Sequence, residues 1–149
     1  MKTLNIFRTT LLAGSLLLQL SVLCYQSHGV TEAWVQRYSN VVSNSNDEAL
    51  KIVRDVAGDL IVTGTTDNGA AGTDILTIKY SGANGSVLWQ QRYNGPANGS
   101  DEARGLAVDG SGNVVVTGTS DNYDYYTAKY AAADGALLWE RRYNGYSQA

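Results

Sequence analysis

Fourteen acidic side chains, but only one His and one Cys, set the chemistry open to this chain. His28 and Cys24 both fall within the first 29 residues, a stretch that reads as a removable leader. The remainder has no imidazole base, no thiol nucleophile and few of the side chains that transition-metal sites use. Paired carboxylates remain able to cleave a glycosidic bond. Here, however, Asp and Glu are scattered at recurring positions, with no motif that selects a pair. Asp109-Gly110-Ser111-Gly112-Asn113 has some of the character of a calcium loop, but it lacks the Asp/Asn-Gly order and the closing Glu of an EF-hand. A carboxylate capping its own hairpin turn explains Asp109, and likewise Asp55, more simply. The expectation is a chain that is not an enzyme and carries no metal or cofactor.

Three further residue sets could bind rather than react. Trp34, Trp89 and Trp139 each stand four residues before a Tyr, so on a strand Trp89, Gln91 and Tyr93 share one face. Such rings can stack on sugars, but recurrence at one place in every unit points to packing between units, with the indole N–H bonded locally. Arg37, Arg92 and Arg142 recur just before that Tyr, and Asp47 and Asp101 recur as well. An Arg–carboxylate pair joining neighbouring units is the expected use; an acidic-ligand site is the alternative. The least repetitive stretch is Asp121-Asn122-Tyr123-Asp124-Tyr125-Tyr126. Tyr at a loop tip suits recognition, which makes Tyr123, Tyr125 and Tyr126 the candidate ligand-binding residues. The competing reading puts Tyr125 and Tyr126 at ordinary strand positions.

The elements that must position these residues follow from the repeat. Trp34-Val35-Gln36-Arg37-Tyr38 returns as Trp89-Gln90-Gln91-Arg92-Tyr93 and as Trp139-Glu140-Arg141-Arg142-Tyr143. Val62-Thr63-Gly64-Thr65 returns as Val116-Thr117-Gly118-Thr119, and Lys79-Tyr80 as Lys129-Tyr130. A period of about 50 residues marks a repeat architecture, in which each unit buries its core against its neighbours. Within the second unit, strands are expected at Glu102–Asp109, Val114–Thr119, Asp124–Tyr130 and Ala136–Tyr143, joined by turns such as Gly110-Ser111-Gly112-Asn113. In the first of these, Ala103, Gly105 and Ala107 should share one face, with Leu106 and Val108 on the other. The first unit gives four strands starting near Glu48, Leu60, Asp74 and Ser86, with extra residues in its second loop, which should lie at a surface. No stretch holds helical spacing. Four-stranded antiparallel sheets repeated in series are the blades of a β-propeller. The fold class is therefore all-β: two four-stranded blades plus one extra N-terminal strand, Trp34–Tyr38, preceded by a signal peptide. The division is 1–29 signal, 30–46 strand and linker, 47–97 first blade, 98–149 second blade.

The signal reading rests on Lys2 and Arg8, the apolar run Leu11–Leu23 and a short polar tail ending at Gly29. The run is shorter than the roughly 20 residues a spanning helix needs. Lipid attachment at Cys24 would want a small residue where Leu23 stands. Lys2 and Arg8 leave with the leader, so nine basic and fourteen acidic side chains remain, and the net charge moves from −3 to −5. That balance argues against a nucleic-acid surface. No later run is apolar enough to insert stably in a membrane.

The run Arg92-Tyr93-Asn94-Gly95-Pro96-Ala97-Asn98, with Asp101, Ala107-Val108-Asp109, Gly112-Asn113, Val115-Val116-Thr117-Gly118, Asp124-Tyr125, Lys129-Tyr130 and Leu138-Trp139, resembles the bacterial seven-bladed β-propeller (SBBP) repeat. The resemblance covers nearly all of 34–145. It implies a propeller fold and a secreted or cell-surface address in bacteria or archaea, and it brings no catalytic residues. A ring of six or seven blades takes roughly 300–350 residues at this period, so further repeats or self-association would be needed to close one. The function expected is a non-catalytic secreted scaffold module with a protein or glycan partner. The alternative is a carbohydrate-binding or carboxylate-dependent hydrolytic propeller fragment.

Overall fold

The computed structural model describes residues 32–40, 45–67, 69, 72–121 and 124–144. The expected leader, 1–29, lies outside the described residues, as does Tyr123. Eight strands follow in order: β1 (Glu48–Arg54), β2 (Leu60–Asp67), β3 (Thr73–Tyr80), β4 (Val87–Tyr93), β5 (Glu102–Val108), β6 (Val114–Ser120), β7 (Asp124–Tyr130) and β8 (Leu137–Tyr143). They form two four-stranded antiparallel sheets, ordered β1-β2-β3-β4 and β5-β6-β7-β8. Each sheet is a blade, as the repeat requires. The blades approach most closely through their first strands, β1 and β5.

Local chemistry explains the strand limits. Asp55 and Asp109 sit at the hairpin turns, where Gly58 (φ 91°) and Gly112 (φ 81°) take the left-handed backbone that L side chains resist. In each blade the Gly of the Val-Thr-Gly-Thr run has a separate reason. A Cβ on Gly64 would lie 1.8 Å from the Glu48 carbonyl oxygen, and one on Gly118 would lie 2.0 Å from that of Glu102. These close approaches accompany a bulge in the first strand: Ala49 faces Gly64 while Lys51 faces Thr63, leaving Leu50 as the extra residue. Arg104 is the extra residue in β5, between Ala103 opposite Gly118 and Gly105 opposite Thr117.

The bulge corrects the expected facing of β5. Even alternation would set Ala103 against Leu106 and Val108. The extra residue shifts the phase by one, so Ala103, Leu106 and Val108 all pack on the core between the blades. That core joins Ile61, Ile75 and Trp89 of the first blade to Ala103, Val114, Val116, Tyr126, Ala128 and Tyr130 of the second. Each fully buried large apolar side chain here stabilises by about 1.5–3 kcal/mol. A second cluster, Leu76, Ile78 and Tyr80, lies on the opposite face of the first blade.

The extra strand is modified too. Residues 34–38 belong to neither ladder. A fourth strand bonds to the third strand of its own blade, and among the described residues nothing occupies that place for Trp34–Tyr38. The segment is held by side chains instead: Trp34 and Tyr38 pack on Leu76, Ile78 and Tyr80.

Candidate functional site

The tryptophans are repeat-to-repeat anchors. Trp89, on β4, is only 6% exposed. Its ring lies 6.4 Å from that of Tyr130, tilted by 46°. Its Nε1 donates to the carbonyl of Ala132 at 3.3 Å. It covers Gly135, where a Cβ would come within 2.7 Å of the indole. Trp34 repeats this on the first blade: 6.2 Å to Tyr80, Nε1 to the carbonyl of Gly82 at 3.3 Å, and the ring over Gly85. Trp139 has the same place on β8, and among the described residues no blade lies over it; it is 39% exposed.

The arginines work within their own blade, which corrects the expected inter-blade pairing. Arg92 Nε lies 2.5 Å from Asp74 at the start of β3, and Arg142 reaches Asp124 at 3.2 Å at the start of β7. Hydrogen bonding along β3–β4 sets Arg92 beside the β3 terminus, so the local carboxylate is the one within reach. Arg142 also meets Asp121 at 3.1 Å. Asp47 and Asp101 instead organise the segment entering each blade. Asp101 accepts the backbone N–H of Gly95 at 2.7 Å, and Asp47 that of Asn40 at 3.1 Å and the Thr66 hydroxyl at 2.7 Å. Burial opposes ionisation of Asp47, but the bonds from Thr66, Asn40 and Ser45 outweigh it and hold the carboxyl below its usual range. Asp121 accepts from the backbone of Ala97 and Gly99 at 3.2 and 3.0 Å, tying the inter-blade linker to the end of β6.

One polar group went unassigned from sequence. Lys79, on β3, pairs with Asp55 at 2.8 Å and Asp59 at 3.5 Å, with the Lys79 and Asp55 side chains only 7% and 4% exposed. It also donates to Ala132 in the second blade at 3.2 Å, sharing that carbonyl with Trp89. The signal was present as joint recurrence: Lys79 and Lys129 repeat along with Asp55 and Asp109. In the second blade Lys129 meets Asp109 at 2.6 Å. The bond from Lys129 is the main cause holding Asp109 well below the ordinary carboxylate range, and Asn113 and the Ser111 backbone add to it against some desolvation. Turn capping is also as expected: Asp109 accepts the N–H groups of Ser111 and Asn113 at 2.8 and 2.9 Å, and Asp55 that of Asp59 at 2.9 Å. Among the described residues, no three of His, Cys, Asp and Glu come together in a metal-binding arrangement.

The two described candidate tyrosines part company. Tyr126 is 1% exposed and stacks on Tyr93 at 3.6 Å, so it is a core residue and presents nothing to a ligand. Burial raises its phenol pKa strongly, and Tyr130 and Glu140 nearby push it the same way. Tyr125, its neighbour on the other face, is 67% exposed. Its ring lies 6.4 Å from that of Tyr143, and Trp139 stands on the same side of the sheet. The opposite end of the molecule carries a groove of about 350 Å³ between residues 34–38 and the first blade, walled by Ile52, Val62, Leu76 and Ile78.

Residues 92–126 match the family model of the SBBP β-propeller repeat. That span runs from the end of β4 through β5 and β6 into β7. No curated protein matches the chain.

Proposed function

From a chain that carries an SBBP β-propeller repeat, we propose a non-catalytic scaffold module, exported to the cell surface or medium, that presents an aromatic end face to a protein or glycan partner. The observation that carries this reading is how the polar groups are used. Arg92, Arg142, Lys79, Asp55, Asp101 and Asp121 all hold turns, linkers or strand ends together. Tyr125, Tyr143 and Trp139 are left as accessible rings. Aromatic rings of this kind supply contact area at low conformational cost. Among the described residues no helix is long and apolar enough to cross a membrane. Export rests on the residues before 30, and mass spectrometry of the secreted product should find a start near Val30; an intact Met1 chain in the cytoplasm would refute it.

The binding role is tested on a glycan array and a panel of surface proteins, probed with the wild type and Tyr125→Ala. Binding weakened by the substitution supports the proposal. Turnover of a glycan, abolished by an Asp→Asn change, would replace it with the hydrolytic reading.

A further inference from the structure

The blades meet through unlike faces. The side of the first blade that carries Ile61, Ile75 and Trp89 packs on the side of the second that carries Val114, Val116, Tyr126 and Tyr130. Every blade has one face of each kind, so among the described residues two faces have no blade against them. One is the Leu76, Ile78 and Tyr80 side of the first blade, with its groove of about 350 Å³. The other is the Tyr125, Trp139 and Tyr143 side of the second. Position by position, these are the two surfaces that already fit each other inside the chain: Trp139 corresponds to Trp89, Tyr143 to Tyr93, Lys129 to Lys79, Leu76 to Tyr126 and Gly82 to Ala132.

Residues 34–38 sit in the way. They occupy the outer part of the seat, with Trp34 in the position that a neighbouring blade's tryptophan takes. The groove beside them is where the inner strands of such a blade would lie.

We infer that a second copy of this chain docks head-to-tail on the first blade, with its β8 displacing residues 34–38. The energetics favour that order of exchange. β8 is fastened to β7 by a ladder running from Tyr130–Leu137 to Tyr125–Tyr143. Residues 34–38 have no ladder; packing and the indole bond to Gly82 hold them, and the chain is tied to the blade again at Asn40, by its bonds to Asp47, Thr66 and Asp67. In the complex, Trp139 of the arriving copy donates to the carbonyl of Gly82, and Lys129 shares that carbonyl, as Trp89 and Lys79 share Ala132. The contact is heterologous, so it propagates until a ring closes. It rests on blade packing and not on what the aromatic face binds.

Sedimentation velocity on the purified chain across a concentration range tests this, with circular dichroism confirming that each variant is folded. Association should grow with concentration. Tyr143→Arg, at a 65% exposed side chain, should weaken it by roughly tenfold or more. Trp34→Ala should strengthen it, because the competing segment loses its anchor. A second readout stays valid if Trp34→Ala fails to fold. Labelled and unlabelled chains are mixed, treated with carbodiimide and digested; Lys129 should be joined to Asp59 across copies, since Asp59 lies beside Gly82, bonding its N–H at 3.1 Å. A monomer at every concentration, association indifferent to Tyr143→Arg, or no mixed-label Lys129–Asp59 product overturns the proposal. The docked copy covers the aromatic face that the proposed function offers to a partner, so assembly and partner compete for it; mass is read without glycan and glycan binding on dilute monomer, so the two readings fail separately.

Discussion

Residues at matching positions of this chain have unequal energetic roles, because one is covered by the next blade and the other is not. Trp89→Ala removes a ring that is 6% exposed and should destabilise by about 3–5 kcal/mol. Trp139→Ala, at a site 39% exposed, should cost under about 1 kcal/mol in the monomer. Urea denaturation of both variants checks the contrast; equal midpoints would refute it. The turn carboxylates predict acid sensitivity. Asp55 and Asp109 are both held below their ordinary value of 3.8: in Asp55 the bonds from Lys79 and Asp59 overcome desolvation, and in Asp109 the Lys129 bond dominates. A carboxyl depressed by folding contributes its stability above the unfolded value and loses it as pH falls toward the folded one. Stability should therefore hold from neutral pH to about 5 and decline below about 4. Asp109→Asn should flatten part of that decline in a pH series of thermal melts. Lys79→Met, which leaves Asp55 buried without its cation, should cost about 2–3 kcal/mol. Adding Asp55→Leu should recover part of it.

At the scale of elements, the bulge is the feature with the largest leverage. Arg104 is exposed, so Arg104→Ala should change stability by less than about 0.5 kcal/mol. Inserting one Ala between Gly105 and Leu106 is a different matter. It shifts the phase that the bulge sets, turning Leu106 and Val108 away from the core, and should cost several kcal/mol or prevent folding. Thermal unfolding of the two variants separates side chain from register. This element also shows what the sequence made legible. Strand order, strand number and most turn positions followed from recurrence, and β7 was located to the residue. The β5 facing was not, because a bulge adds a residue without changing composition. The partner of Arg92 was missed for a related reason. Recurrence marks a position, and Asp47, Asp74 and Asp101 recur or sit near enough that only the β3–β4 register chooses among them. Tyr126 drew notice as a Tyr in an unrepetitive stretch, but it holds an inward-facing position of β7, as the competing reading had it.

Across the described residues, two blades leave two faces with no blade against them, one on each side. If copies close a ring, about three of them would give six blades, within the usual range of roughly four to eight. Unlike a two-fold contact, a head-to-tail one offers no stopping point at the dimer. The purified chain should therefore show either monomer or closed ring, with intermediate sizes scarce, and multi-angle light scattering reads this directly. Every partial ring still carries one free face of each kind, and only closure buries that last pair.

Residues 34–38 also bear on rate. Without a ladder, they rest on Trp34, Tyr38 and the bond to Gly82, up to the Asn40 anchor that follows them. An arriving copy cannot seat its β8 until they leave, so release precedes capture. The observed association rate should rise with concentration and then level off at the release rate, a plateau that a simple collision would not produce. Stopped-flow mixing followed by tryptophan fluorescence would show it, and Trp34→Ala should raise the plateau. The chain thus carries its own timer, written in the same Trp-x-x-Arg-Tyr pattern as the strand that must replace it.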